Sequence, residues 1–135
     1  MHPADELQLR TKNFALRIMN VCRTLAETKG TYALGNQLLR SGTSVAANYR
    51  AACRSRSDAE FISKLGVVLE EADETEFWLE LLRDGGVMPE TKLAPLLDEA
   101  QQRIRIFAAS KRTTRARVQN QKSEIRNQKS KAHEN

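Results

Sequence analysis

The sequence contains little proline, glycine or aromatic side chain. Its 135 residues include three prolines and six glycines, and aromatic residues make up 5%. A β-sandwich or β-barrel needs many turns, so these counts disfavour such folds. Leu, Ala, Glu, Arg and Lys dominate instead, which is typical of helical proteins. The length suits one domain with a single hydrophobic core.

Long apolar runs are also missing. No stretch approaches the roughly 18 apolar residues of a membrane-spanning helix, and the opening "MHPADELQLR" lacks the apolar segment of a signal peptide. The two cysteines, Cys22 and Cys53, form no closely spaced pair. We therefore expect a cytoplasmic protein with reduced thiols and no membrane partner.

Histidine is nearly absent from the body of the chain. His2 and His133 are the only two, and both lie in terminal segments. A di-iron site in a bundle needs Glu-x-x-His pairs, and a Ser or Cys nucleophile needs a histidine base. No glycine-rich phosphate loop occurs, and the two cysteines are expected to be small buried thiols. The sequence predicts no catalytic residue, no metal site and no cofactor, and therefore no enzyme.

The positive charge is concentrated at one end. The net charge is +5, yet residues 110–135 hold eight basic and two acidic residues, and the other 109 residues hold 14 basic and 15 acidic ones. The high pI therefore reflects a basic C-terminal segment attached to a nearly neutral body.

Apolar residues recur at alternating steps of four and three in four segments, which predicts four amphipathic helices. Gly30 marks the end of the first segment, and Gly85-Gly86 marks the end of the third. Ser57 and Glu60 form a capping box at the start of the third. Short connections between long helices give antiparallel neighbours, so we predict an up-down-up-down four-helix bundle over residues 1–112. The predicted core positions are Leu7, Thr11, Phe14, Ile18, Val21 and Leu25; Leu34, Leu38, Ser41, Val45, Asn48 and Ala52; Phe61, Leu65, Val68, Ala72, Thr75, Leu79 and Leu82; and Leu93, Leu97, Ala100, Ile104 and Phe107.

The tail, residues 113–135, is polar and basic and offers almost no large apolar side chain. Such a segment cannot offset the entropy of ordering, so the tail is expected to be disordered. Asn120–Ser123 returns seven residues later as Asn127–Ser130, but only Val118 and Ile125 could supply a coiled-coil contact. We interpret the tail either as an arm that binds nucleic acid or as the product of a recent duplication in the gene without a role.

Polar residues interrupt the second helix's apolar positions, and arginines surround them. If the second and third helices run antiparallel, Arg40 pairs with Asp73 or Glu76 of the acidic third helix. The small Ser41–Gly42 pair would let the two helices approach closely. Asn48 would fix the register, as single buried amides do in coiled coils.

A second interpretation, compatible with the first, concerns the arginines at the end of the second helix. Arg50, Arg54 and Arg56 could form a phosphate-binding patch. Cations from the end of the fourth helix and the tail could join it. These are Lys111, Arg112, Arg115 and Arg117.

The third helix carries more apolar surface than one face inside a small bundle needs. Phe77, Trp78 and Leu81 lie beside its core positions. They either meet another subunit, or Trp78 closes the end of the bundle near Gly85-Gly86.

The stretch "QLLRSGTSVAANYRAACRSRSDAEFISKLGVVLEEADETEFWLELL" resembles the core of the bacterial four-helix bundle proteins also called 23S rRNA intervening-sequence proteins. The resemblance covers about residues 5–112, and Gly42-Thr43 departs from the alanine that many members have there. It rests on Gln37, Leu38, Arg40, Ser41, Ser44, Val45, Asn48, Ser57, Glu60, Phe61, Ala72, Glu74 and Glu76.

The resemblance implies a four-helix bundle that assembles as a ring, commonly a homopentamer, with a positively charged surface proposed to bind nucleic acid. A related branch is the accessory protein of diversity-generating retroelements, which binds a reverse transcriptase. We therefore expect either a nucleic-acid-binding oligomer, with RNA or DNA as its partner, or a scaffold for a protein partner such as a reverse transcriptase.

Overall fold

A computed structural model describes residues 2–27 and 30–134 and shows four α-helices. Consecutive helices pack against each other, and α1 and α4 touch only sparsely. The predicted all-α four-helix bundle is confirmed. None of the helices within the described ranges is long and apolar enough to cross a membrane. The helices are α1 (Pro3–Ala26), α2 (Tyr32–Cys53), α3 (Asp58–Asp84) and α4 (Glu90–Glu134).

The predicted helix boundaries have their expected local chemistry. The Ser57 hydroxyl accepts a hydrogen bond from the Glu60 N–H at 3.1 Å, and a Glu60 carboxylate oxygen accepts one from the Arg56 N–H at 3.2 Å. The capping box therefore satisfies free N–H groups at the start of α3. Gly85 caps the end of α3, and Gly86 follows with a φ of 66°, which an L side chain rarely adopts.

The core consists of two hydrophobic clusters, one toward each end of the bundle. The first lies near the α3–α4 connection and includes Phe14, Leu38, Leu79 and Leu97. The second lies toward the α2–α3 turn and contains Val45, Tyr49, Leu65, Val68, Ala72 and Phe107. Most of the predicted core positions belong to these clusters.

Each helix contributes one buried polar residue to a layer. Along each helix, this residue lies between the side chains of the first cluster and those of the second. The layer consists of Thr11, Ser41, Thr75 and Arg103, all at most 1% exposed. The Thr75 hydroxyl donates to the Ser41 hydroxyl at 3.0 Å across α2 and α3, and Thr11 donates to the Leu7 carbonyl at 2.7 Å. The polar interruption of α2 is therefore matched by polar groups on its neighbours, as buried hydroxyls require.

The two small residues of α2 serve different contacts. Ser41 faces α3, as predicted, but Gly42 faces α1, because adjacent helical residues point about 100° apart. A Cβ added at Gly42 would stand 2.8 Å from the Ile18 Cγ2 atom. Gly42 therefore sets how closely α1 and α2 approach.

The prediction of a disordered tail is wrong for the described residues. α4 continues as one helix of 45 residues to Glu134, so residues 113–134 extend the last helix of the bundle. The last buried side chain of α4 is Thr114. We call residues 115–134 the arm; the side chains of residues 115–133 are exposed apart from the half-buried Val118. Composition argued for disorder because burial is missing, but the arm's residue types still permit a helix.

Candidate nucleic-acid interface

The arginine predicted to join α2 to α3 does so, with different partners. Arg40 pairs with Glu71 at 3.2 Å and with Glu74, whose carboxylate also accepts from the Trp78 indole N–H at 3.2 Å. These contacts lower the pKa of Glu74, the hydrogen bond from Arg40 contributing most. The prediction that Arg40 pairs with Asp73 is wrong, because Asp73 lies about 100° around the helix from Glu74.

The prediction that Arg40 pairs with Glu76 is also wrong. The Glu76 carboxyl lies instead among Glu80 and Gln101, at the contact between α3 and α4. Partial burial, followed by the hydrogen bond with Glu80, raises the pKa of Glu76. This side chain therefore belongs to the α3–α4 contact and leaves Arg40 to Glu71 and Glu74.

Asn48 does not play the predicted cross-helix role. The structure gives its side-chain amide two hydrogen bonds, to the Ser44 carbonyl at 2.9 Å and to the Ser44 hydroxyl at 2.8 Å, both within α2. The residue is half-buried. The buried Ser41–Thr75 hydrogen bond is the polar contact that joins α2 to α3 at the centre of the bundle.

The predicted arginines at the end of α2 line a groove between α1 and α2. Arg50 lies in the last turn of α2 and Arg54 is the residue that caps this helix; both are exposed and line the same groove. Lys12 of α1 lies across the groove from them, so three cations surround a space of about 540 Å³. The other lining residues, Gln8, Leu9 and Ala46, are uncharged. We call this space the basic groove.

Arg56 lies outside the basic groove. It occupies the α2–α3 turn, where its side chain is exposed and its backbone N–H donates to Glu60. The turn follows Arg54 directly, so Arg56 extends the positive charge of the groove toward the end of the bundle at which α3 begins.

The four predicted cations of α4 have different surroundings. Arg112 and Arg115 are exposed, whereas the Lys111 ammonium group lies beside Gly66 of α3, 3.5 Å from where a Cβ would stand. Arg117 forms a two-fold ion pair with Asp58 at the start of α3, at 2.9 and 3.2 Å. Arg117 is thus engaged within the bundle, which weakens its assignment as a phosphate ligand.

The predicted single patch is therefore two patches. α2 and α4 lie on a diagonal of the described bundle, where they meet through core side chains such as Tyr49 and Phe107 but not along their surfaces. Both patches nevertheless lie at one end of the bundle, where α2 ends, α3 begins and the arm projects.

The predicted oligomer-contact residues differ in exposure. Phe77 and Leu81 are 51% and 39% exposed, whereas Trp78 is half-buried against the first core cluster. The Phe77 and Trp78 rings meet edge to face at 5.0 Å. Trp78 thus closes the core, and Phe77 and Leu81 lie exposed on α3.

The cysteines carry no sign of reactivity. Burial raises the pKa of the Cys22 thiol to about 11, and its sulfur lies 3.3 Å from the Gly35 carbonyl oxygen. Burial likewise raises the pKa of Cys53. Both groups are therefore neutral thiols near pH 7. The described part of the chain shows no cluster of three or more residues suited to bind a metal.

Two charged residues were missed by the sequence reading. Lys12 belongs to the basic groove, and only the packing of α2 beside α1 distinguishes it from other exposed residues. Arg103 is completely buried in the polar layer, with its Nε 3.4 Å from a Glu99 oxygen. None of its three nitrogens has a hydrogen-bond partner in the described structure, and burial lowers its pKa.

A family description and a solved structure match this chain. The model of the 23S rRNA-intervening sequence protein family matches residues 6–109. A crystal structure from Bacteroides thetaiotaomicron, described as a protein of unknown function from the S23 ribosomal protein family, is 33% identical with a TM-score of 0.73. The match covers 76% of this chain and 95% of that one. No curated protein matches the chain.

Proposed function

This chain belongs to the 23S rRNA-intervening sequence protein family, and from that premise we propose that it is a non-enzymatic bundle that binds structured RNA or DNA. The observation that carries the proposal is the basic groove. Lys12, Arg50 and Arg54 are exposed around an uncharged lining, and the positive groups are free to face an anionic ligand. Guanidinium and ammonium groups in this arrangement bind phosphates with little reading of base sequence.

Binding of this kind depends strongly on salt. Each phosphate contact releases counterions, so the slope of log affinity against log salt is about −0.9 per contact on duplex DNA. Three contacts in the groove would give a slope of about −2.7. Fluorescence anisotropy with labelled RNA and DNA duplexes, from about 50 to about 200 mM salt, measures both affinity and slope.

The decisive variant is Arg50→Glu with Arg54→Glu. We expect its affinity to fall at least about tenfold, because two attractive contacts become repulsive. The matched control is Arg23→Glu with Lys92→Glu, which makes the same charge change on exposed residues at the other end of the bundle. Equal losses in both variants, or no binding by the unaltered protein at the lowest salt, would contradict the proposal.

We further propose that the protein is a homo-oligomeric ring, whose copies would add their weak contacts by avidity. The exposed Phe77 and Leu81 on α3 support a contact there. Light scattering after size exclusion gives the number of copies, the homopentamer included. Phe77→Ser with Leu81→Ser should yield monomers, whereas Ile125→Ser in the arm should not. A strictly monomeric protein at micromolar concentration would rule the ring out.

The same exposed side chains favour a second candidate, a scaffold for a protein partner such as a reverse transcriptase. Phe77 and Leu81 could contact another protein as well as another copy. A pull-down from nuclease-treated lysate separates the candidates. A partner lost on nuclease treatment favours nucleic-acid binding, and one retained by the protein but lost from the Phe77→Ser, Leu81→Ser variant favours the scaffold.

A further inference from the structure

The exposed part of α4 carries most of its positive charge on one side. Of the six exposed cations from Arg112 to Lys129, all except Arg117 follow one another at steps of three, seven, four and three residues. Residues at such spacings share one face of a helix. We call this set the cation stripe; its members are Arg112, Arg115, Lys122, Arg126 and Lys129.

The opposite side of the helix has a different composition. Arg117, Glu124 and Lys131 recur there at steps of seven, and Arg117 is already paired with Asp58. The acidic Glu124 thus lies about 180° from the centre of the stripe. The segregation follows from α4 being helical this far, since a disordered tail would have no sides.

From this geometry we propose that the arm lies as a helix along the phosphate backbone of a nucleic-acid duplex and binds it through the cation stripe. The ligand class rests on the proposed function, whereas the one-sided helical arrangement and the participation of Lys122, Arg126 and Lys129 are new. The family match ends at residue 109, so it assigns nothing to the stripe. Arg112 and Lys129 are 17 positions apart, which is about 25 Å along the helix, and over this length duplex DNA carries roughly fifteen phosphate charges.

The direction of the stripe connects it to the rest of the bundle. Lys111 lies beside Gly66 of α3, and Lys129 follows it by 18 residues, which is five helical turns. The stripe therefore continues along the side of α4 that contacts α3 at Lys111. α3 begins at Asp58, which pairs with Arg117 on the opposite side of α4, so beyond Arg117 no helix of the described chain packs against the stripe.

The chemistry of the arm favours phosphates over a lipid surface. Its larger apolar side chains are Val118 and Ile125 alone, too few to insert into a bilayer. The repeated Asn-Gln pairs add neutral hydrogen-bonding groups, which suit a hydrated phosphate backbone.

The sharpest test moves charge around the helix without changing composition. In the shift variant, Lys122→Ser, Ser123→Lys, Arg126→Asn and Asn127→Arg are combined, which turns two cations by about 100° out of the stripe. With the full chain, RNA and DNA duplexes of one sequence and anisotropy detection, we expect affinity to fall about tenfold. Affinity equal to that of the unaltered protein would overturn the inference, because an unstructured basic arm would be insensitive to the exchange.

A second pair of variants removes one charge from each side of the arm. Lys129→Ala should make the salt slope shallower by about 0.9, and Lys131→Ala should change it by much less. Both residues are exposed, so neither change should affect folding. Equal effects would overturn the one-sided arrangement. Tighter binding to vesicles of anionic lipid than to duplexes would overturn the choice of ligand.

The groove variant keeps the two proposals distinguishable. If Arg50→Glu with Arg54→Glu loses affinity and the shift variant does not, the arm inference fails and the groove remains. If only the arm variants lose affinity, the groove assignment fails and the arm remains. If the unaltered protein binds neither duplex, both fail.

Discussion

The two halves of α4 have the same backbone conformation for different reasons. The packed half, Glu90–Thr114, buries side chains such as Leu93, Ala100 and Phe107 against its neighbours. In the arm, Ile125 is 52% exposed and Val118 is only half-buried. Burial therefore stabilises the packed half, and the arm depends on its own backbone hydrogen bonds and on continuity with the packed half.

This difference separates side chains that stabilise the fold from side chains that are only exposed, within one helix. A change in the packed half alters the stability of the whole bundle, because its side chains belong to the shared core. A change in the arm alters the exposed surface of the helix and leaves the core untouched. Matched substitutions in the two halves should therefore give unequal effects on unfolding.

The largest difference between the two halves of α4 in the free energy of unfolding is expected when an apolar side chain is removed. Phe107→Ala should lower the free energy of unfolding by about 3–5 kcal/mol, since Phe107 is fully buried and contacts Tyr49 with ring centres 5.1 Å apart. Ile125→Ala should change it by less than about 0.5 kcal/mol. Urea unfolding followed by circular dichroism measures both. A comparable loss from Ile125→Ala would mean that the arm is buried in solution.

The next largest difference in the free energy of unfolding is expected for a buried charge in the packed half, and here the substitution should stabilise the protein. Arg103→Met should raise the free energy of unfolding by about 1 kcal/mol, because it removes a buried guanidinium that has no hydrogen-bond partner in the described structure, and its ion-pair partner Glu99 is partly exposed and stays solvated. Arg126→Met in the exposed arm is the control and should have little effect on the same unfolding curve. A destabilised Arg103→Met variant would show that the guanidinium acquires partners in solution.

The smallest difference in the free energy of unfolding is expected for two carboxyl groups. Glu76 of α3 lies at the contact with the packed half of α4, and Glu124 lies in the arm. Because burial raises the pKa of Glu76, the unfolded chain ionises first as the pH rises, and ionisation then costs stability. Glu76→Gln should therefore give a small stabilisation at pH 7 that disappears below the ordinary pKa of 4.5. Glu124→Gln in the arm should leave unfolding at pH 7 unchanged. A Glu76→Gln gain that persists at pH 3 would contradict this account of its cause.

The sequence sufficed for the parts of the fold that periodicity determines. Leu65, Val68 and Phe107 are buried as their spacing predicts. Arg103 was missed because positions 103 and 104 both lie at helical spacing between Ala100 and Phe107. Hydropathy favours Ile104 there, yet the structure buries the arginine more completely.

The candidate site was predictable only in part. Arg50 and Arg54 were identified because they lie close together at the end of one helix, which is local information. Lys12 joins them through the packing of a different helix, and the choice of Glu71 and Glu74 over Asp73 depends on rotation about the α3 axis. Spacing within one segment cannot give these relations between helices.

The contact of Gly42 with Ile18 has a consequence for how this family can vary. A methyl group at position 42 would stand 2.8 Å from the Ile18 Cγ2 atom, so the two positions share one fixed volume. A relative with alanine at the position of Gly42 should have a smaller residue opposite it, or more widely spaced first and second helices. Substitutions at these two positions should therefore be correlated during evolution.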